Sequence, residues 1–390
     1  MMNFNDIKDM DNEYIANTYA RFDIAIKNGR GSTLYDYDGK KYIDFSTGIA
    51  VNSFGVCDTL WENAVIEQAT KLNHVSNLYY SLPQAKLAKM LCERTNMKKV
   101  FFANSGAEAN ECAIKTARKY SSDKYGKDRY EIITLKNSFH GRTIATLAAT
   151  GQDVFHQNFG PFPLGFKYVT ANSIEEMKEA MTDKVCAVIM EMVQGEGGVM
   201  PLDKKFVEET YKMALEKDIL VIIDEVQTGN GRTGSLYAYM QYGINPDIVT
   251  TAKGLAGGLP FGAILFGEKT KGVLSFGDHG STFGGNPICA NAAISILSRI
   301  DDKLLEEVKE KSKLIFDYMS GCKNVLSVDG LGLMIGIKTT KNAKDIVKEC
   351  LNKGLIVLTA KDKIRLLPAL NISYIDLQNG LQILREVIEG

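Results

Sequence analysis

The chain has 390 residues, of which 45% are apolar and 24% charged, and its formal net charge is −1. This length allows two domains with large cores, and the composition is that of an ordinary globular protein. A charge close to zero argues against a nucleic-acid surface. No apolar run approaches the roughly 20 residues of a membrane span, so we expect no membrane segment.

The cysteines and histidines exclude further classes of protein. The seven cysteines are scattered, odd in number and never arranged as C-x-x-C, which favours reduced thiols and a cytoplasmic location. None of the four histidines pairs with another at metal-ligand spacing, so we expect no metal site. The acidic N-terminal stretch lacks an apolar core, and we expect no signal peptide.

Taken in chain order, the first predicted element is a β-hairpin in LYDYDGKKYIDFSTG, with its turn at Asp38-Gly39. From about residue 98 to residue 267, short apolar runs alternate with helical patterns. Such alternation predicts an α/β fold in which helices cover a mostly parallel central sheet.

The last hundred residues mix helical patterns such as DKLLEEVKEKSKLIFDYM with strand patterns such as GLMIGIKTT. We therefore predict a smaller α+β domain built from both chain ends, residues 1–55 and 285–390. The large α/β domain is predicted over residues 56–284.

Polar residues stand at the ends of the predicted strands, where parallel sheets bind ligands: Ser105, His140, Gln194, Asp224 and Lys253. A carboxylate such as Asp224, after the apolar run ILVII, needs a cation or a strong donor if it is buried. Lys253 follows 29 residues later (253 − 224), one helix and one strand further on. Both groups are thus candidates for the same sheet edge, although a helix cap and a surface lysine are the commoner alternatives.

The segment ANSGAEANECAIKTARKY predicts a helix that begins near Ser105, Gly106 and Ala107. The free N–H groups of that helix start suit a phosphate, although a plain cap by Ser105 or Asn104 is the alternative. An acid, a lysine amine and a phosphate site together match the needs of pyridoxal phosphate. We interpret the glycines after Lys253, in KGLAGGLPFGA, as room for cofactor and substrate.

These motifs resemble those of the class III (ω-amino) aminotransferases, within the fold-type I pyridoxal-phosphate enzymes. The resemblance extends from about Arg30 to Ile375 and rests on LYDYDGKKYIDFSTGIAVN, FFANSGAEANE, SFHGRT, VQGEGG, IIDEVQTGNGRTG, TTAKGLAGGLPFGA, HGSTFGGNP and IRLLPALNI. It implies the fold-type I architecture and a homodimer with shared active sites.

The resemblance also implies a role for each matching residue. Lys253 is expected to bind the cofactor covalently and to carry the proton, while Asp224 holds the pyridinium nitrogen. The remaining cofactor-binding residues that it implies are Ser105, Gly106, Ala107, Phe139, His140, Glu225, Val226, Gln227 and, from the other subunit, Thr282.

Two arginines are implied in substrate recognition, and their guanidinium groups suit carboxylates. The resemblance gives Arg365 the α-carboxylate of glutamate or 2-oxoglutarate, and Arg142, with Ser281 nearby, the distal carboxylate. Glu196 is expected to pair with Arg365 while an ω-amino substrate is bound. The implied reaction moves the δ-amino group of N2-acetylornithine to 2-oxoglutarate, although each arginine alone would also fit a surface ion pair.

The sequence departs from the family pattern in two places. FGVCDTLW replaces the usual Gly-His-x-His-Pro, which puts Trp61 in an unusual segment, and Glu191-Met192 replaces Glu-Pro. Gly48 stands where ornithine-specific members are expected to carry an aromatic residue, which favours an N-acylated donor.

Alternative functions remain open at this point. GNGRTG (229–234) fits the G-x-G-x-x-G fingerprint of nicotinamide enzymes, but a lone fingerprint is weak. A regulatory protein on a borrowed fold would be expected to lack the lysine or the acid. Within the family, succinylornithine, ornithine, 4-aminobutyrate and N-succinyl-diaminopimelate differ from acetylornithine by pocket contacts of only about 1–3 kcal/mol.

Overall fold

The computed structural model describes residues 3–390. Its strands are β1 (Ile26–Arg30), β2 (Thr33–Asp36), β3 (Lys41–Asp44), β4 (Lys99–Ala103), β5 (Glu131–Leu135), β6 (Phe166–Val169), β7 (Val185–Met190), β8 (Val193–Gln194), β9 (Met200–Pro201), β10 (Leu220–Asp224), β11 (Ile248–Thr251), β12 (Gly262–Phe266), β13 (Val325–Leu331), β14 (Met334–Thr339), β15 (Leu355–Ile356), β16 (Leu358–Ala360) and β17 (Lys363–Leu366). The helical segments are α1 (Phe4–Tyr14), α2 (Thr47–Ala50), α3 (Thr59–Ala69), α4 (Leu82–Thr95), α5 (Gly106–Tyr125), α6 (Ile144–Ala149), α7 (Ile174–Ala180), α8 (Lys204–Glu216), α9 (Pro287–Leu297), α10 (Asp302–Ser320), α11 (Ala343–Asn352) and α12 (Tyr374–Glu389).

The central sheet has seven strands in the order β4-β12-β11-β10-β7-β5-β6. All of them run parallel except β12, which is antiparallel to both β11 and β4. Every residue of β7, β10, β11 and β12 is buried, as expected when both faces of a sheet are covered. The predicted α/β fold with a mostly parallel sheet is therefore confirmed.

The register of this sheet brings the two candidate catalytic residues together. Strand β10 runs parallel to β11, and Asp224 lies opposite Thr250. Lys253 begins the turn that follows β11. The carboxylate and the lysine consequently leave the sheet at the same edge, which confirms their predicted proximity.

The two chain ends meet in the smaller sheets. One sheet has the order β1-β2-β3-β15, so that β15 from the C-terminal part adds in parallel to the N-terminal hairpin. A second sheet, β13-β14-β17-β16, comes entirely from the C-terminal part. This confirms a smaller α+β unit built from both chain ends, while the division at 55/56 and 284/285 stays a prediction.

The segment α2 is not an ordinary helix. Its four residues Thr47, Gly48, Ile49 and Ala50 all have positive φ, between 47° and 67°. A left-handed conformation costs about 1–2 kcal/mol for each non-glycine residue. Buried Asp44 offsets part of this cost by accepting hydrogen bonds from nearby backbone and side-chain groups.

Two further expectations from the sequence concern membrane helices and cysteines. No helix within residues 3–390 has the length and apolarity needed to cross a membrane. All seven cysteines are free thiols.

Candidate active site

A cavity of about 420 Å³ lies at the carboxyl edge of the central sheet. Its lining comes from the turn before α5, the loop after β5, the end of β10 and the turn after β11. The lining residues are Val51, Asn104, Ser105, Gly106, Ala107, Asn110, Phe139, His140, Gly141, Arg142, Glu191, Asp224, Val226, Gln227, Ala252, Lys253, Gly258, Leu259, Pro260 and Phe261. Nine predicted cofactor-binding and catalytic residues are thus brought together at one place.

Asp224 is the acid at the base of this cavity, and it is 3% exposed. Its Oδ2 accepts a hydrogen bond from Asn110 Nδ2 at 2.7 Å and lies 2.8 Å from His140 Nδ1. Its Oδ1 accepts from the backbone N–H of Val226 at 3.0 Å. These partners compensate the cost of burying a carboxylate and fix its orientation towards the cavity.

Asn110 is a site residue that the sequence analysis missed. It lies on α5, and besides Asp224 its Nδ2 also donates to the His140 carbonyl at 2.8 Å. Its Oδ1 accepts from Thr250 Oγ1 at 2.7 Å. The residue therefore ties α5, β11 and the His140 loop to Asp224. The sequence signal for Asn110 was its position four residues after Gly106, which places it on the same face of α5 as the turn proposed to bind phosphate.

Lys253 presents a buried amine to the cavity. Burial lowers its pKa from 10.5 to about 8, while the charges of Glu196 and Arg365 have opposing effects. Its φ of 46° is left-handed, a conformation that costs a non-glycine residue free energy and recurs at functional sites. An amine with this pKa is partly neutral near pH 7, so it is available as a nucleophile and as a base.

The turn before α5 has the backbone geometry of a helix N-terminus that suits an anion. Ser105 is the N-cap, and its hydroxyl accepts from the N–H of Glu108 at 3.1 Å. Gly106 and Ala107 are the first helical residues, whose N–H groups have no acceptor within the helix. A Cβ at Gly106 would lie 2.7 Å from a methyl of Val226, so only glycine allows this close approach. The turn is therefore held against the residue that follows Asp224.

Arg365 lies behind Gln227, which lines the cavity, and it is 3% exposed. Its Nη1 donates to Glu196 Oε1 at 2.5 Å and to Gln227 Oε1 at 3.1 Å. Burial of Glu196 acts to raise its pKa, but the charge and hydrogen bond of Arg365 outweigh it and hold the pKa below its usual value. The predicted pair is thus formed as a charged pair.

A second carboxyl group, that of Glu191, lines the cavity. Burial, followed by the charge of Asp224, raises the pKa of Glu191 well above its usual value. Its Oε2 accepts from the backbone N–H of Phe139 at 3.2 Å. Glu191 therefore positions the segment that carries Phe139, and burial beside Asp224 disfavours its charged form.

Arg142 is exposed at the mouth of the cavity. Its guanidinium carbon lies 4.1 Å from the ring centre of Phe155 and 5.4 Å from that of Phe139. This cation–π stacking holds the side chain without an ion pair, so the guanidinium keeps its carboxylate-binding edge free.

Three predicted residues lie elsewhere. Glu225 is buried away from the cavity, where it accepts from Thr228 Oγ1 and from the backbone N–H of Tyr239. Burial raises its pKa to about 7. Ser281 and Thr282 line a separate surface cavity of about 730 Å³, and Ser281 accepts from Asn104 Nδ2 at 3.2 Å. Ser281 thus contacts the residue before Ser105, but neither Ser281 nor Thr282 lines the cavity of its own chain.

The interpretation of the glycines after Lys253 was mostly wrong. A Cβ at Gly254 would meet Ser53 Oγ at 2.6 Å, and one at Gly257 would meet Ile296 at 2.9 Å. A Cβ at Gly262 would collide with the backbone of Ser105. Gly258 alone of this group lines the cavity. The others are needed for close packing of protein against protein.

Two other sequence features have structural explanations. Trp61 Nε1 donates to the carbonyl of Ala256 at 2.8 Å, so the unusual segment packs on the turn after Lys253. Gly48 does not line the cavity, and its φ of +63° belongs to the left-handed segment α2. The relation of Gly48 to an N-acyl group stays a prediction.

The nicotinamide alternative is wrong. A dinucleotide fingerprint requires a helix that begins within its glycines, so that the helix N-terminus meets the pyrophosphate. Here residues 229–236 form turns, followed by a short 3₁₀ helix at Ala238–Gln241. Arg232 within the motif is buried rather than open to a ligand.

A family model described as "Aminotransferase class-III" matches residues 14–388. The chain belongs to the class III aminotransferases. It is therefore a pyridoxal-phosphate-dependent enzyme, in agreement with the resemblance seen in the sequence. The regulatory alternative predicted the loss of the lysine or the acid, and both Lys253 and Asp224 are present in the cavity.

Individual relatives agree with this family. An acetylornithine aminotransferase of Haemophilus ducreyi is 51% identical over 390 residues, covering 99% of each chain. A succinylornithine transaminase of Yersinia pseudotuberculosis is 43% identical, covering 97% of this chain and 95% of its own. The crystal structure of an ornithine aminotransferase from Toxoplasma gondii superposes with a TM-score of 0.95 at 27% identity, covering 100% of this chain and 95% of its own.

The residues of the aminotransferase cavity fit pyridoxal phosphate. The glycine cradle at Gly106 and the free helix N-terminus suit the phosphate, and the three-donor environment of Asp224 suits a protonated ring nitrogen. Lys253 supplies an amine with a lowered pKa. Phe139 and Val226 contribute apolar surface to the cavity in which the ring would lie.

We predict that the pKa of Lys253 controls covalent capture of the cofactor. Only the neutral amine attacks an aldehyde, so the capture rate of the cofactor-free enzyme is expected to rise with pH and to level off above about 8. Stopped-flow absorbance after mixing with pyridoxal phosphate, from about pH 6 to about pH 10, measures this rate. A rate that keeps rising towards a pKa of about 10.4, as for an exposed lysine, would contradict the burial argument. Lys253→Ala, which has no amine here, is the control.

Proposed function

We propose that the enzyme transfers the δ-amino group of N2-acetyl-L-ornithine to 2-oxoglutarate, a step of arginine biosynthesis. The ion pair between buried Arg365 and half-buried Glu196, whose charges both act on Lys253, carries this proposal. When the carboxylate pairs with the arginine, the cavity can accept an uncharged part of one substrate. When the carboxylate moves away, the arginine can bind the carboxylate of the other substrate. The name of the relative from Haemophilus ducreyi supports the N-acetylated donor.

In the donor half-reaction, the carboxylate of acetylornithine binds Arg142 at the cavity mouth. The apolar stem of the donor passes the closed pair of Arg365 and Glu196, so neither charge is left without a partner. The δ-amino group then reaches Lys253. Closure of this pair lets the cavity accept an uncharged part of the substrate.

In the acceptor half-reaction, the α-carboxylate of 2-oxoglutarate replaces Glu196 on Arg365, and the distal carboxylate binds Arg142. Two parallel hydrogen bonds from a guanidinium to a carboxylate favour this exchange. Gln227, which accepts from Arg365 and lies 3.5 Å from Glu196, supports the arginine in both states.

The chemistry divides between cofactor and protein. Bound pyridoxal phosphate carries the amino group between the substrates and withdraws electrons from the reacting carbon. Lys253 would remove a proton from that carbon and deliver it to the cofactor carbon that receives the amino group, which its lowered pKa favours. Asp224 would bind the ring nitrogen, Gln227 the phenolic oxygen, and Ser105, Gly106 and Ala107 the phosphate. Phe139 and Val226 would contribute apolar surface beside the ring, with His140 beside Phe139.

We also propose that the active enzyme is a homodimer in the cytoplasm. Ser281 and Thr282 line a surface cavity instead of their own active site, so a second copy would bring Thr282 to the phosphate and Ser281 to Arg142. Apolar side chains are exposed around this cavity, which is typical of an interface: Leu78, Tyr79, Tyr80, Leu82 and Phe283. The seven free thiols fit a reducing compartment.

Succinylornithine is the second candidate donor, because a relative at 43% identity bears the name succinylornithine transaminase. It carries one more carboxylate than acetylornithine but has the same δ-amino group. Every role proposed above applies equally to it.

The donor is identified by single half-reactions. We predict that N2-acetylornithine discharges the absorption band of the lysine-bound cofactor faster than N2-succinylornithine, ornithine or 4-aminobutyrate. Pocket contacts worth about 1–3 kcal/mol give a preference of about 10- to 200-fold. Stopped-flow absorbance with each amine, followed by recovery on adding 2-oxoglutarate, measures it. A faster reaction with another amine would contradict acetylornithine and leave the aminotransferase mechanism intact.

The ion pair is tested by Glu196→Ala. Removing Glu196 leaves the buried guanidinium of Arg365 unpaired beside the apolar stem of the donor, so kcat/KM for N2-acetylornithine is expected to fall about 10- to 100-fold. Because glutamate supplies its own carboxylate, its kcat/KM is expected to change less than about threefold. Separate half-reaction kinetics measure both, with Glu175→Ala on exposed α7 as the control. Equal losses for both substrates would contradict the proposed switch.

A further inference from the structure

The turn segment 229–234, GNGRTG, connects the two ends of the active site. It leaves strand β10 shortly after Asp224 and contains left-handed residues at Asn230, Gly231 and Gly234. None of its residues lines the cavity. Its side chains point instead towards the chain segments that carry Lys253 and Arg365.

At one end of the turn, Asn230 holds the backbone that directly precedes Lys253. Asn230 is 3% exposed, and its Nδ2 donates to Thr251 Oγ1 at 3.1 Å and to the Ala252 carbonyl at 3.2 Å. These are the two residues that precede Lys253. The side chain of Asn230 therefore fixes the backbone from which the reacting amine projects.

The other end holds the strand pair that carries Arg365. Arg232 Nη1 donates to the Leu333 carbonyl at 3.3 Å and to the Pro368 carbonyl. The N–H of Leu333 returns a hydrogen bond to the Arg232 carbonyl at 2.9 Å. Leu333 immediately precedes β14, and Pro368 follows β17, the strand on which Arg365 lies opposite Gly336.

The contact between the two segments is too close for side chains. Gly332 has a φ of +58°, and a Cβ there would lie 2.6 Å from the Arg232 carbonyl oxygen. Gly231 in turn approaches Leu370, to which a Cβ would come within 3.0 Å. The turn and the C-terminal strand pair thus form a fitted backbone contact.

Arg232 makes this contact at a high electrostatic cost. It is 2% exposed, and burial lowers its pKa to about 9, with no charged group of residues 3–390 contributing in either direction. A buried charge without a counter-ion costs several kcal/mol, which an apolar residue of similar size would avoid. A planar guanidinium that reaches two carbonyls on different segments provides a geometry that an apolar side chain cannot.

We propose that Arg232 is a positioning residue for Arg365. It holds the strand pair β14–β17 at a fixed distance from the turn that anchors Lys253, and so sets where a dicarboxylate lies relative to the reacting amine. The inference rests on the proposed function in one respect, the binding of the α-carboxylate by Arg365. Displacements of about 1 Å at such a contact are enough to reduce productive binding up to about 100-fold.

The test uses Arg232→Lys in the cofactor-loaded enzyme. Lysine keeps the charge but presents a single ammonium that cannot hold both carbonyls in the same geometry. We predict that KM for 2-oxoglutarate and the Kd of glutarate, an unreactive dicarboxylate, each rise about 10-fold or more. The saturated half-reaction rate with the amine donor is expected to stay within about twofold, because Asn230 still holds the approach to Lys253.

Two further variants keep the test decisive. Gly332→Ala disrupts the same contact from its other side and is expected to weaken the binding of glutarate in the same way. It provides the test if Arg232→Lys does not fold. Arg94→Lys is the matched control, because Arg94 likewise donates to two carbonyls, those of Leu297 and Ile300, away from the cavity. It is expected to lower the unfolding temperature without changing the Kd of glutarate.

Arg365→Met separates the two proposals. Suppose that Arg365→Met weakens the binding of glutarate, but that Arg232→Lys or Gly332→Ala, in a correctly folded variant, leaves the Kd of glutarate within about twofold of wild type. The positioning role of Arg232 is then overturned. Equal losses in both half-reactions of Arg232→Lys overturn it as well, since they indicate a general structural defect. If Arg365→Met itself leaves glutarate binding unchanged, the assignment of Arg365 in the proposed function fails. The donor is any amine that wild type accepts, so the identity of the donor does not affect the result.

Discussion

A single buried carboxylate organises the active site. Asp224 ends the central strand of the sheet, where burial without partners would be costly, and three neighbours satisfy it: Asn110, His140 and the N–H of Val226. These groups belong to α5, to the loop after β5 and to the chain beyond β10. The turn at Gly106 packs on Val226, so its position also depends on the contact between Val226 and Asp224. The cofactor site thus depends on satisfying one acid.

The substrate side of the cavity depends on a different balance. Lys253 and Arg365 are two basic groups removed from bulk water. Burial lowers the pKa of the Lys253 amine, whereas the Arg365 guanidinium is paired with Glu196. Burial and the charge of Asp224 raise the pKa of Glu191 well above its usual value, which disfavours a second negative charge beside Asp224. Because a guanidinium does not lose its charge as an amine does, only the partner of Arg365 can change, which is what the proposed use of one cavity for two substrates requires.

Much of this arrangement could be predicted from the sequence, because apolar strand runs that end in Asp224 and Lys253 identify both the sheet and its functional edge. Asn110 was missed, since its spacing of four residues from Gly106 indicates the helix face that it shares but not its contact with Asp224. Glu225 was placed in the site although adjacent residues at a strand end point to opposite sides. The glycines after Lys253 were assigned to ligand space, but contacts such as that of Gly254 with Ser53, 201 residues apart, are set by tertiary packing.

The central claim is that Asp224 holds a protonated pyridine nitrogen, and the nitrogen-15 chemical shift of labelled pyridoxal phosphate bound to the enzyme tests it most directly. The account predicts a protonated ring nitrogen from about pH 6 to about pH 9, and loss of that proton in Asp224→Ala. An unprotonated nitrogen in the wild-type enzyme at neutral pH would contradict the account, because Asp224 would then have no role as the acid that organises the site.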